Sequence, residues 1–239
     1  MENNIWKETY DFYHLANSFL LENIEVNHGN SVLIKGKELL SKQLIDDVRI
    51  QTLFVIVAVS EKLSIKEELD FLAEIILLNL TDDSFLKAKL YKANYYMRND
   101  KSESGYDEGV SLVNESINRN NEFYLMQGRE FLGKYFFYIK KYDEAIEAYA
   151  EMRNLAQKLR KPMETFRALL KLGTIWKLKG NIGIALEYLL NASTFAHDNN
   201  MPIECAMADS LRASIFSSIG CHNEASELLK NSGRIFESL

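Results

Sequence analysis

Between Arg129 and Lys140 the apolar positions fall at 131, 132, 135, 136 and 139. That is the spacing of one face of an α-helix and not the alternation of a strand. After Lys140-Lys141 a second stripe runs through Ala145, Ile146, Tyr149, Met152, Leu155, Ala156 and Leu159. Asp143 and Glu144 open it, where the helix dipole favours negative charge. It stops before Pro162, because the residue preceding a proline is pushed out of helical geometry. The same two-helix plan recurs over Phe166–Lys179 and Ile182–Asn199 around Gly180-Asn181. It recurs again over Ile203–Ile219 and Asn223–Phe236 around Gly220.

The recurrence keeps a fixed register of 40 residues: Gly133, Gly173 and Ala213; Phe136, Trp176 and Phe216; Ala145, Ala185 and Ala225; Tyr149, Leu189 and Leu229; and the only two prolines, Pro162 and Pro202. A fixed period of this length signals stacked repeats. The small residues at 133, 173 and 213 let the two helices of a hairpin approach closely, and Ala145, Ala185 and Ala225 are the matching small positions on the facing helix. Gly180 and Gly220 sit where a helix ends and a left-handed residue is useful.

Upstream the register loosens. Tyr106-Asp107-Glu108-Gly109 echoes Tyr142-Asp143-Glu144-Ala145, after a longer turn over Asn99–Gly105 rich in turn formers. Leu44–Glu61 and Ile65–Leu80 read as a further hairpin, with Ser64 and Glu67 as a capping box. Trp6–Ile24 and Val32–Leu40 read as two more helices around a turn at Asn27-His28-Gly29-Asn30. The reading is all-α: a right-handed α-solenoid of about six antiparallel helix pairs. Residues 1–43 form an N-terminal helical cap or bundle and residues 44–239 the array, with the clearest repeats at 126–165, 166–205 and 206–239.

Composition narrows the function. Two prolines and 11 glycines in 239 residues suit long helices with short loops. The net charge of -6 disfavours a dedicated nucleic-acid binder, whose affinity comes from neutralised phosphates. Cys205 and Cys221 lack a metal or redox spacing and read as free thiols. No signal-peptide pattern opens the chain, and its most apolar window, Leu53–Ser60, is too short to span a bilayer. A cytosolic protein without membrane contact is expected.

The residues Leu132-Gly133, Phe136, Tyr142 through Ala145, Tyr149 and Pro162 resemble the tetratricopeptide repeat. Leu172-Gly173, Trp176, Gly180, Ala185 and Pro202 do so again; the third copy keeps Ala213, Phe216, Gly220 and Ala225 but has Arg212 in place of the Leu. A period of 40 with long second helices is similar to the arrays of the bacterial Rap and PlcR-like peptide-pheromone receptors, and the Asn, Lys and Ile content suits a low-GC source. Residues 1–41 do not fit a helix-turn-helix domain. The resemblance implies that first helices line a concave groove holding a short peptide. Its groove positions map onto Lys87, Tyr91 and Asn94; Gln127, Glu130, Phe131, Lys134 and Phe137; Arg167, Lys171, Thr174 and Lys177; and Met207, Ser210 and Ser214. Among these Asn94, Lys134, Arg167 and Lys171 form a polar, cationic stretch suited to a peptide backbone and a carboxylate, with Tyr91 and Phe137 as aromatic contacts. Leu90 and Phe131 stand at two positions where chaperone-binding clamps carry polar residues.

Catalytic signals are missing. His14, His28, His197 and His222 are scattered without metal-ligand spacing, and Gly29–Lys37 lacks the spacing of a phosphate loop. The expectation is therefore a non-enzymatic module with no cofactor and no metal, binding a peptide or protein partner. The alternatives are a scaffold or oligomerising protein, with a homodimer through the apolar C-terminus, and an inhibitor acting by surface binding.

Overall fold

The computed structural model describes residues 2–21, 26–42, 44–65, 68–78, 81–99 and 102–237. All regular structure among them is α-helical. In order the helices are α1 (Glu2–Leu21), α2 (Val26–Leu40), α3 (Asp46–Leu63), α4 (Glu68–Leu78), α5 (Asp82–Arg98) and α6 (Ser102–Asn118). Then follow α7 (Glu122–Tyr138), α8 (Tyr142–Lys158), α9 (Pro162–Leu178), α10 (Ile182–Asp198), α11 (Pro202–Ser218) and α12 (His222–Glu237). None of the described helices is long and apolar enough to cross a membrane. The chain divides into two compact units, residues 1–111 and 112–239.

The first unit is organised around α3. Its Ile56 and Val59 pack with Phe12, Ala16 and Phe19 of α1 and Val32, Leu33 and Leu39 of α2. Its Leu53 and Val57 pack with Leu72 and Ile75 of α4 and Ala88 of α5. A helix buried on two sides has no need of a polar face there, which is why 53–59 reads as a nearly unbroken apolar run. Two of the turns read from the sequence are helical. Asn27–Asn30 belongs to α2: a Cβ on Gly29 would lie 2.6 Å from the Phe19 ring, so this glycine permits close packing against α1. Ser102–Gly105 opens α6, where a Cβ on Gly105 would meet Met97 Cγ at 3.3 Å. Turn-forming residues yielded in both places to tertiary packing. Ser64 does not cap α4. It adopts a left-handed conformation (φ 57°) and closes α3, its N–H donating to Glu61 O. Glu67 lies outside the described residues.

In the second unit the period of 40 splits into two equal halves. Helices α7 through α11 are each 17 residues long and are joined by three-residue connectors. Left-handed residues recur every 20 positions, at Asn120, Lys140, Arg160, Gly180, Asn200 and Gly220. Each makes the paired backbone bonds of a Schellman ending. At the α7 end, Lys141 N donates to Phe136 O (2.9 Å) and Lys140 N to Phe137 O (3.1 Å). A connector this short returns the chain antiparallel to the helix it leaves. Pro162 and Pro202 are the first residues of α9 and α11, where the missing N–H costs nothing. The first helices of the hairpins thus begin earlier than their apolar stripes suggest.

The register residues do the packing. Tyr149 of α8 lies against Ala168, Leu172 and Ile175 of the next hairpin, and Leu189 of α10 against Ile215. Both also press on a glycine of their own hairpin. A Cβ on Gly133 would meet the Tyr149 ring at 2.9 Å, and one on Gly173 would meet Leu189 Cγ at 2.7 Å.

Candidate functional site

The first helices α7, α9 and α11 lie side by side in the second unit, linked directly by polar contacts. Arg167 of α9 reaches Glu130 of α7 (3.4 Å), and Lys177 of α9 donates to Ser214 Oγ of α11 (2.9 Å). The phase of the 17-residue helices sets this layer. Positions such as Leu132, Leu172 and Ala213 turn to the hairpin interior, which leaves Lys134, Arg167, Lys171 and Ser214 exposed.

The centre of the layer is a buried acid. Glu130 is 5% exposed. Lys134, one turn further along α7, pairs with one of its oxygens at 2.8 Å, and Arg167 approaches the other. Arg167 also meets Glu164 on its own helix at 3.6 Å. Among the described residues Lys171 has no ion-pair partner. Three cations thus stand against two carboxylates, leaving one excess positive charge on an exposed surface. Burial pushes the Tyr149 hydroxyl well above the ordinary tyrosine range; the negative charge of Glu130 adds to this and Arg167 opposes it.

The structure therefore brings Lys134 and Arg167 together on a carboxylate that the cationic reading of this stretch did not count, with Lys171 exposed one turn beyond Arg167 on α9. The signal was present in the Glu130–Lys134 spacing of four, which favours an ion pair along a helix. Phe137 is half-buried at the hairpin, its ring centroid 6.2 Å from that of Tyr142. Phe131 is 2% exposed and belongs to the core, so it offers nothing to a ligand. Thr174 and Ser210 turn their hydroxyls onto their own helices, donating to Leu170 O and Ala206 O. Tyr91 and Asn94 are on α5 in the first unit. Tyr91 is half-buried beside Phe54, with ring centroids 6.1 Å apart. Asn94 donates its amide to Leu90 O at 2.8 Å and keeps its carbonyl for another partner.

Among the described residues no group of three or more His, Cys, Asp or Glu side chains is arranged to hold a metal ion. The free thiols of Cys205 and Cys221 are partly buried, and Cys205 Sγ lies 3.5 Å from Ser193 Oγ.

Solved structures share this architecture. The apo form of RapI superposes with a TM-score of 0.73 at 12% identity, covering 97% of this chain and 98% of RapI. BtubC (BKLC) from P. vanneervenii gives 0.72 at 13% identity, covering 88% and 89%. Aspartyl phosphate phosphatase F from Bacillus subtilis gives 0.71 at 11% identity, covering 100% of this chain and 76% of that protein. A Rap protein solved in complex with Competence and Sporulation Factor also matches, at 0.58 and 14% identity, covering 100% of this chain and 67% of that one. The fold is that of tetratricopeptide-like and Rap-like helical repeats. At these identities the likeness is one of fold. No protein-family model matches the sequence, and no curated protein matches it either.

Proposed function

We propose that the protein is a non-enzymatic binding module, a regulatory receptor or adaptor that takes a short peptide against the first-helix face of its repeats. The observation that carries this is the exposed pair Lys134 and Arg167, held in place by the buried Glu130, with Lys171 exposed one turn beyond Arg167 on α9. Glu130 fixes two long side chains that would otherwise lose rotamer freedom on binding, so the face is ordered before the ligand arrives. The excess positive charge and the unpaired Lys171 suit a carboxylate or an acidic side chain. Phe137 of α7 is a further candidate contact on this face; Tyr91 and Asn94, on α5, are candidate contacts of the first unit by itself. Rap proteins share the fold, and one of them has been solved with Competence and Sporulation Factor bound, which agrees with this use of the fold. Purification from the native host with mass spectrometry of bound material tests the reading. A bound peptide that is lost when Arg167 and Lys171 are replaced by Gln supports it. A peptide retained in full by that variant refutes it.

A second reading is favoured by one observation. Leu229 of α12, at the register position of the buried Tyr149 and Leu189, is 53% exposed. An oligomerising or scaffold role through α12 would cover it. Light scattering on the wild type and on Leu229→Ser separates the two readings: self-association lost in the variant favours this one.

A further inference from the structure

The first unit contains a pocket of about 400 Å³ lined by Glu61, Ser64, Ile65, Glu68, Tyr95, Arg98 and Asn99. It lies between the end of α3, the start of α4 and the end of α5. Three features make it more than a surface group of acids. Glu68 is only 2% exposed, so one of its two carboxylates is built into the wall. Arg98 is shared: Nη1 meets Glu61 at 2.8 Å while Nη2 donates to both oxygens of Glu68 at 2.9 and 3.2 Å. Among the described residues Arg98 is the only cation on the wall, and the second oxygen of Glu61 has no donor.

Among the described residues of the wall one guanidinium serves two carboxylates, leaving one excess negative charge in a partly desolvated cavity. Burial raises the Glu68 pKa above the usual carboxylate range in spite of Arg98. The Tyr91 hydroxyl is raised too, by its own burial and then by the charges of Glu61 and Glu68. Two carboxylates that share one guanidinium in a partly desolvated wall are stabilised by a further cation that reaches them. Ile65 and the Tyr95 ring form the apolar part of the wall, where the stem of a long basic side chain can lie.

We propose that this pocket takes a single cationic group, the guanidinium or ammonium of a basic side chain on a partner polypeptide. The group donates to the open oxygen of Glu61 and shares Glu68 with Arg98. The site lies wholly in residues 1–111 and does not rest on the reading of the first-helix face in the second unit.

The test is a titration of the full chain with N-acetyl-arginine methylamide, followed by amide chemical shifts, with the neutral citrulline analogue in parallel. Saturable shifts are expected at the Glu61–Ile65 and Tyr95–Asn99 amides, with a Kd on the order of 1 mM, the strength of one or two charge-assisted hydrogen bonds. Glu61→Gln, at a half-exposed position, is expected to keep the fold and weaken binding about tenfold. Equal shifts from the citrulline analogue, no saturation, or unchanged affinity in Glu61→Gln would each overturn the proposal. The citrulline comparison uses the wild-type chain, so it stands even if the variant unfolds.

Discussion

The hairpin interior makes a sharp prediction at Gly173. In the middle of a helix, Gly→Ala gains about 1 kcal/mol from propensity alone. At Gly173 the added methyl would sit 2.7 Å from Leu189 Cγ, 2.9 Å from Leu189 Cδ2 and 3.3 Å from the carbonyl oxygen of Ala185. Ordinary carbon–carbon contact is about 3.5–4.0 Å, so Leu189 must move by roughly 1 Å. It cannot do so freely, being 1% exposed and packed with Ala185 and Ile215. Overpacking of this kind costs about 1–3 kcal/mol. Gly173→Ala is therefore expected to destabilise by about 1 kcal/mol net. Gly183→Ala serves as the control: Gly183 is in the first turn of α10, nothing lies within 4 Å of an added Cβ, and the change should stabilise by up to about 1 kcal/mol. A double-mutant cycle locates the cause. Leu189→Ala alone should cost about 2–5 kcal/mol, and in that background Gly173→Ala should change sign and stabilise. Urea unfolding followed by the fluorescence of Trp176, one turn from the site on α9, reads all five proteins. If Gly173→Ala stabilises the wild type as much as Gly183→Ala does, the close approach is not what keeps Gly173.

Two further expectations follow from the same unit. Lys140 and Arg160 hold left-handed backbone (φ 62° and 53°), which costs a non-glycine residue roughly 1–2 kcal/mol. Glycine there adds back about 0.4–1 kcal/mol of unfolded-chain entropy, so Lys140→Gly and Arg160→Gly should each stabilise by about 0.5–1 kcal/mol in urea melts, and Asn200→Gly by less. The Tyr149 pKa is raised in the folded state. Its contribution is thus complete below the unfolded tyrosine value, about 10, and is lost as pH rises above it, because only the unfolded chain then ionises. Tyr149→Phe should soften the loss of thermal stability above about pH 10; an unchanged alkaline limb would contradict the burial argument.

The repeat was legible because its register is written in side chains that packing requires. Gly133 and Gly173 mark close approaches, Tyr149 and Leu189 fill the space opposite, and the prolines mark helix starts. The division of each repeat into halves of 20 was not legible, because only Gly180 and Gly220 among the left-handed positions are glycines. At Asn120, Lys140, Arg160 and Asn200 the Schellman hydrogen bonds impose the conformation without a glycine to announce it. Asn27–Asn30 and Ser102–Gly105 misled for the opposite reason: composition suggested turns, while Gly29 and Gly105 were there for helix contact. The tetratricopeptide resemblance mapped Lys134, Arg167 and Lys171 onto groove positions of the first helices. It mapped Glu130 there too, but neither it nor any periodicity shows that a carboxylate will sink to 5% exposure and draw two cations onto itself. The clasp of Glu61, Glu68 and Arg98 joins three helices across up to 37 residues of chain, and no local pattern carries such a contact.

The central claim is that ligand binds along the first helices of the repeats. Hydrogen exchange of the purified chain, with and without the material that co-purifies from its host, tests this most directly, because protection reports each helix separately. The account predicts slowed exchange in α7 and α9 that disappears when Arg167 and Lys171 are replaced by Gln. Protection confined to α12, unchanged by those substitutions, would contradict it.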